Sequence, residues 1–478
     1  MTQQLNHFAL LPLYAAAGTA VLVLIVELAL GRRGPVIGAA VFGSLATAAC
    51  AIAVGGRTAP TFCTGGNCSW VPSPLAAVAA VLFALLTVGV LALSAPALRE
   101  GIAPAGEFCF LLTCSMTGGV VIGYAGDLIT LVVGLETLTL PLYVLVGLRR
   151  FAPRERVTTA GASAAVTFFV ISVVSTAIAL LGAALLYAAT GALYLSVLGG
   201  GSGVLAPVAA VGGALIVVGF AFKVAAVPLH AWAPPTYDGA PVPIAAYLST
   251  ASKLGGVLAL AAVITRLDTG PLVAVLAVLT MTVGNLGALR QTRMLRLLAW
   301  SSVAQAGYII APLAVGGRGV PAAAAYAVFF VLLEFVAFGA IVALRAPGAD
   351  GGEIAAYRGA ARRSPWLGAA LVLAFAGLAG LPPGLAGLFA KVTIVDALID
   401  TGWGALAGVV ALNAVIALAY YVRATAILYA SPTGVAVADL RQPKLPVSWP
   451  VATALVAASA LALALGFAPQ LLFDSLSR

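Results

Sequence analysis

Apolar runs of about twenty residues or more, enough to cross a bilayer, recur along this whole chain, with almost no charge inside them. In hydrocarbon, such a run must satisfy its own backbone hydrogen bonds, which a helix does and an open strand does not. Hydrophobic residues make up 62% of the sequence and charged residues 8%, too little charge for a soluble domain of 478 residues. The expected fold class is an all-α polytopic membrane protein of about fourteen transmembrane helices, counted by hydropathy. The first run follows MTQQLNH, which carries no positive n-region, so it reads as an uncleaved helix rather than a signal peptide.

Cations outside these runs sit in the connections, and they alternate. One set of connections holds Arg32 and Arg33, Arg99, Arg149 to Arg156, Arg290 to Arg296, Arg345 to Arg363, and Arg423 to Lys444. The opposite set holds only Arg57, Arg266 and Arg318, with terminal Arg478. Positive connections face the cytoplasm, so both termini are expected on the exterior side. The net charge of +9 thus belongs to loops, and gives no reason to expect a nucleic-acid partner. Cys63 and Cys68 flank Thr-Gly-Gly-Asn in an exterior connection, where oxidation is allowed, and a disulfide is expected there. Cys50, Cys109 and Cys114 lie in spans and read as small apolar residues. No spacing of His and Cys suggests a metal, haem or iron–sulfur site, and no GxxxxGK[ST] loop is present for ATP.

The four lysines stand out against this background. Lys223, Lys253 and Lys391 lie within apolar stretches, whereas the other cations of the chain are nearly all arginines in loops. A lysine at mid-membrane costs about 2.5–3.5 kcal/mol on insertion scales, and a desolvated lysine, unlike arginine, can release its proton near neutral pH. Snorkelling or a structural ion pair would explain any one of them. Three together, with Glu136 ten residues into an otherwise uncharged run, favour a proton pathway. Glu136 is expected to pair with Lys223, since a lone buried carboxylate would stay neutral. His230 follows Lys223 by seven residues and is a candidate relay between Lys223 and Lys253. Ser249, Thr250 and Ser252 surround Lys253, while Ser301, Ser302, Gln305 and Tyr308 share one run. Glu27 and Glu334 are further carboxylates inside spans, and Asp396 and Asp400 lie beyond Lys391 toward an outer exit.

Domain organisation follows from the spans. Three helices (1–105) precede two blocks of five, 106–265 and 266–430, and a last helix lies in 431–478. An odd number of spans makes the second block enter with opposite orientation, the inverted-repeat pattern of transporters. Each block has a Pro-interrupted run bearing a lysine: Lys223 near Pro228, and Lys391 near Pro382 and Pro383. Helices seven and twelve are therefore expected to be broken.

Four stretches carry a family resemblance: GLETLTLPLYVLVGL, FKVAAVPLHAWAPPTYDGAPVPIAAYLSTASKLG, MTVGNLGALRQTRMLRLLAWSSVAQAGY and YRGAARRSPWLGAALVLAFAGLAGLPPGLAGLFAKV. They resemble the antiporter-like proton-pumping subunits of respiratory complex I, most closely its N branch. The resemblance implies fourteen helices with two inverted five-helix repeats. It implies that Glu136 and Lys223 are the coupled pair of helices five and seven, Lys253 the central lysine of helix eight, and Lys391 the charged residue of helix twelve facing the outer exit. It also implies a proton-translocating subunit of a bacterial NADH–quinone oxidoreductase in the inner membrane. Protons are its only substrate, and the other membrane subunits and the bilayer are its partners. NADH, FMN, iron–sulfur clusters and quinone are then expected on partner subunits, with no cofactor in this chain. A subunit of a cation/proton antiporter complex shares these motifs, and a structural subunit without transport is the third reading. The chain departs from the family in Gln305, where SSIAHAGY is usual, in Ala390 before Lys391, and in Glu334, where neutral residues are usual.

Overall fold

The computed structural model describes residues 5–55, 58–148, 157–199, 203–431 and 447–470. Arg57, the arginine run 149–156, residues 200–202, most of the basic connection after Arg423, and Arg478 lie outside them. The helices in chain order are α1 (Leu11–Leu30), α2 (Arg33–Val54), α3 (Pro74–Glu100), α4 (Ala105–Tyr124), α5 (Leu128–Gly147) and α6 (Val157–Thr190). There follow α7 (Ala206–Ala221), α8 (Ala233–Gly239), α9 (Val242–Tyr247), α10 (Lys253–Ile264), α11 (Gly270–Leu289) and α12 (Met294–Ile310). The last six are α13 (Val320–Leu344), α14 (Ala360–Arg363), α15 (Pro365–Ala379), α16 (Leu385–Asp400), α17 (Gly404–Tyr429) and α18 (Trp449–Phe467).

Among the described residues, twelve helices are long and apolar enough to cross a membrane. One of the twelve, Met294–Leu344, doubles back. Its halves are α12 and α13, joined by a 3-10 stretch in which Gly316 takes φ +67°. The Tyr326 hydroxyl donates to Gln305 Oε1 at 2.5 Å, and its ring packs on Tyr308. On a straight helix, residues 305 and 326 would stand roughly 30 Å apart. The helices turn large apolar side chains outward: Phe42 and Val415 are each 69% exposed, as suits a surface solvated by lipid tails.

Both expected helix breaks are present. After α7 the chain leaves the helix at Phe222–Pro228, with Ala225 at φ +59°, and resumes helix at α8. The freed backbone groups find partners: Trp232 Nε1 donates to the Phe222 carbonyl at 3.2 Å, and Val227 N–H donates to Thr280 Oγ1 at 3.0 Å. The second break separates α15 from α16 at Gly380–Gly384, where the chain turns through Pro382 and Pro383. Helix eight runs through α9 and α10, which are joined by a π-helical turn, Leu248–Ser252. Such a wide turn sets Lys253 at its end, and π-turns recur at functional positions.

The connection between α2 and α3 is a two-stranded hairpin, β1 (Thr61–Thr64) and β2 (Asn67–Trp70), with Cys63 opposite Cys68 and bonded to it. Gly65 and Gly66 both have positive φ, which a two-residue hairpin turn requires. Trp70 anchors the hairpin by stacking on Tyr124 and donating to the Ala9 carbonyl at 2.9 Å. Neither thiol should react with an alkylating reagent before reduction. Replacing both by serine should leave assembly and the buried sites intact, because the hairpin stands apart from them.

At the opposite end, Arg293 gathers three carboxylates. It holds Asp238 of α8 at 2.8 Å, Asp350 at 2.9 Å and Glu353 at 3.7 Å, while Arg345 holds Asp350 at 3.2 Å. The Asp238 hydrogen bond and the second bond to Asp350 outweigh partial burial and hold the guanidinium above even its usual high range. This clasp ties the far end of the first broken helix to the second block.

Candidate functional site

The site begins at the first break. Lys223 follows the last turn of α7, so its side chain springs from irregular backbone and lies between α5 and α6, 3% exposed. Its Nζ donates to Glu136 Oε1 at 2.9 Å, Ser172 Oγ at 3.0 Å and Thr139 Oγ1 at 3.1 Å. Three acceptors exhaust the three protons of an ammonium. Glu136 in turn accepts from Thr176 Oγ1 at 2.6 Å, and Tyr143 donates to Ser172. The pairing of Glu136 with Lys223 is thus as expected. Thr139, Ser172, Thr176 and Tyr143 complete it, and the sequence reading missed them because hydroxyls in apolar helices usually bond their own backbone.

From there a line of contacts runs across the protein. Gly256 of α10 lies against Lys223: a Cβ at that position would come within 2.9 Å of the Lys223 Cβ. Three residues earlier, Lys253 is 1% exposed, and its Nζ donates to the Ser302 carbonyl of α12. One turn along α12, Gln305 donates to the Leu378 carbonyl at 3.1 Å and to Tyr421 Oη at 3.2 Å. Lys391 Nζ shares that Leu378 carbonyl, at 2.9 Å, and holds the Ala379 carbonyl at the same distance.

Lys391 therefore differs from Lys223 although both sit at helix breaks. It is held by the last carbonyls of α15, the negative end of that helix dipole, and lies over the Tyr308 ring at 5.1 Å. An ammonium held by neutral groups lacks the countercharge that would fix its proton. Beside it, a second polar cluster fills the second block: Ser301 with Tyr421, Tyr420 with Asn285, and Asn285 with Tyr308 and Asn413.

The other candidates fall outside this line. His230 is half-buried, its ring against Trp300 and beside the backbone of Pro228. No hydrogen bond to either lysine is found for it among the described residues. Glu27 is only half-buried, facing α4 at Gly106, so it is a weaker site candidate than its place in an apolar run suggested. Asp396 and Asp400 are exposed on α16. Glu334, in contrast, is wholly buried and accepts from Ser249 at 2.7 Å. Among the described residues, no cluster of His, Cys, Asp and Glu has the makings of a metal site.

Comparison with known proteins agrees with this architecture. Residues 125–417 match the family described as NADH:quinone oxidoreductase/Mrp antiporter, TM, a range that contains Glu136 and the three buried lysines. NADH-quinone oxidoreductase subunit N of Salinispora tropica is 56% identical over 523 aligned positions, covering all of both chains. Among solved structures, a chain of respiratory complex I from Thermus thermophilus with bound aureothin superposes with a TM-score of 0.82 at 29% identity, covering 97% of this chain and 99% of that one. A chain of the Mrp complex from Dietzia sp. reaches 0.79 at 23% identity, covering 98% and 95%, a likeness of fold alone. The chain belongs to the NADH:quinone oxidoreductase/Mrp antiporter membrane family, within its branch of NADH-quinone oxidoreductase N subunits.

Proposed function

We propose that this chain translocates protons as a membrane subunit of a bacterial NADH–quinone oxidoreductase. The protons pass along Glu136–Lys223, Lys253 and Lys391. The observation that carries this reading is the row of three buried lysines, linked through α10 and α12 by packing and hydrogen bonds, one of them in a 2.9 Å ion pair. Charges placed in such a row couple, so a proton lost at one site changes the affinity of the next. Moving one proton against 100 mV requires about 2.3 kcal/mol, which this chain has no means of generating by itself. The driving reaction, with NADH, FMN, iron–sulfur clusters and quinone, then belongs to partner subunits. We place His230 beside the first break, off the main line.

The topology is part of the proposal. Fourteen crossings result when Met294–Leu344 counts as two and the broken pair α15–α16 as one. Blocks 106–265 and 266–430 are then inverted counterparts, each with a broken helix and its lysine. The cationic connections mark the cytoplasmic side of the inner membrane, with both termini outside.

Purification of the tagged chain from its native membrane tests the assignment. The other membrane and redox subunits of a quinone oxidoreductase should copurify. Recovery of cation/proton antiporter subunits instead, with no redox partner, would favour the rival reading. A packing prediction follows from the close approach at Gly256. Gly256→Leu would drive α10 from the Lys223 backbone at a cost of about 1–3 kcal/mol. The thermal midpoint of the purified complex should fall and proton transport should fall with it, whereas an unchanged midpoint would mean that α10 and the break are not in contact.

A further inference from the structure

The most telling group outside the line is Glu334. It lies on α13 with no exposed surface. One oxygen, Oε2, accepts from Ser249 Oγ at 2.7 Å, whereas Oε1 is buried without a hydrogen-bond partner. Two other polar atoms in the same neighbourhood, Ser302 Oγ and Tyr237 Oη, are likewise buried, and they face each other. Native interiors rarely leave such atoms unsatisfied, and an exception calls for a functional explanation.

Its position relative to Lys253 is set by two one-turn spacings. Ser249 and Lys253 are four residues apart across the π-helical turn, and Phe330 and Glu334 are four apart on α13, so each couple shares a face. The faces meet twice: Ser249 bonds Glu334, and Lys253 Nζ stands 5.8 Å from the Phe330 ring. Lys253 and Glu334 accordingly attract each other electrostatically, and Tyr237 of α8 and Tyr421 of α17 feel the same carboxylate.

We propose that Glu334 is a proton-holding residue of the translocation path, the acceptor that exchanges a proton with Lys253 at the centre of the line. In the forward step an N–H bond of the Lys253 ammonium breaks and an O–H bond forms at Glu334 Oε1. The hydroxyls of Ser302 and Tyr237 line the space through which the proton crosses. The pair passes from ammonium and carboxylate to amine and carboxylic acid, so its net charge stays zero. That conservation matters in a dry interior, where separating charge is costly. Ser249 keeps the carboxyl aimed, because its bond to Oε2 persists in both states and leaves Oε1 free. The first block makes a carboxylate–lysine couple with Glu136 and Lys223. Lys253 and Glu334 form a second one, bridging α10 of one block and α13 of the other.

This inference rests on the proposed function, and the test separates the two. Glu334→Gln is isosteric, and its amide oxygen still accepts from Ser249, so a structural role for Glu334 would survive the change. In vesicles containing the whole complex, NADH-driven proton uptake should fall at least severalfold, with assembly retained. Glu334→Asp, which keeps a titrating group, should recover part of the loss. Full uptake in Glu334→Gln alongside a severe loss in Lys253→Met would overturn the inference and leave the lysine line standing. Full uptake in both would overturn the underlying function as well. If Glu334→Gln fails to assemble, Ser249→Ala decides. Losing the donor to the ionised carboxyl must move the acid limb of the pumping profile toward neutral pH, and an unmoved limb would overturn the inference.

Discussion

Glu136→Gln should remove most proton translocation by the assembled complex, while Glu27→Gln should leave it nearly intact. The glutamine can still accept from Thr176 and Lys223, and Ser172 and Thr139 remain, so the geometry around the lysine survives. What disappears is the countercharge. Removing one partner of a buried pair costs about 3–5 kcal/mol. Without its countercharge Lys223 no longer holds and passes its proton as in the unaltered pair, and a severe loss of translocation is expected. Glu27 lies half-buried against α4, with no cation bonded to it among the described residues, so its neutralisation strands no charge. Equal and mild effects in the two variants, measured as proton uptake per NADH oxidised, would take Glu136 out of the path.

Lys391→Met should block translocation with the complex still assembled, and Lys391→Arg should block it as well. Methionine keeps the length and apolar stem of the lysine but carries no proton. Arginine can still donate to the Leu378 and Ala379 carbonyls, yet it does not release its proton at any accessible pH. The two failures together identify proton release, rather than fixed charge, as the task of Lys391. Native gels establish assembly, and NADH-driven acidification of inverted vesicles reads transport. Full transport in Lys391→Arg would make this lysine a fixed charge and end the path elsewhere.

The lysines were legible because a cation inside an apolar run is costly in any membrane context, and the prolines beside two of them foretold the breaks. The Glu136–Lys223 pair was legible for the same reason: each charge needs the other. What holds Lys391 could not be read, since its acceptors are backbone carbonyls and leave no trace in residue type. The hydrogen bond from Ser249 to Glu334 joins residues 85 positions apart, a tertiary match that periodicity does not encode. Likewise the π-helical turn before Lys253 looks, as sequence, like ordinary helix. For His230, proximity along the chain suggested a relay, and what the sequence did not show is that its ring lies against Trp300.

The central claim is that protons pass along the buried lysines of this chain, and Lys253 stands at the middle of the line. The most direct measurement is the ratio of protons translocated to electrons transferred in vesicles carrying the assembled complex with Lys253→Met. The account predicts a ratio clearly below that of the unaltered complex, with NADH still oxidised by quinone. An unchanged ratio at an unchanged rate of NADH oxidation would contradict it.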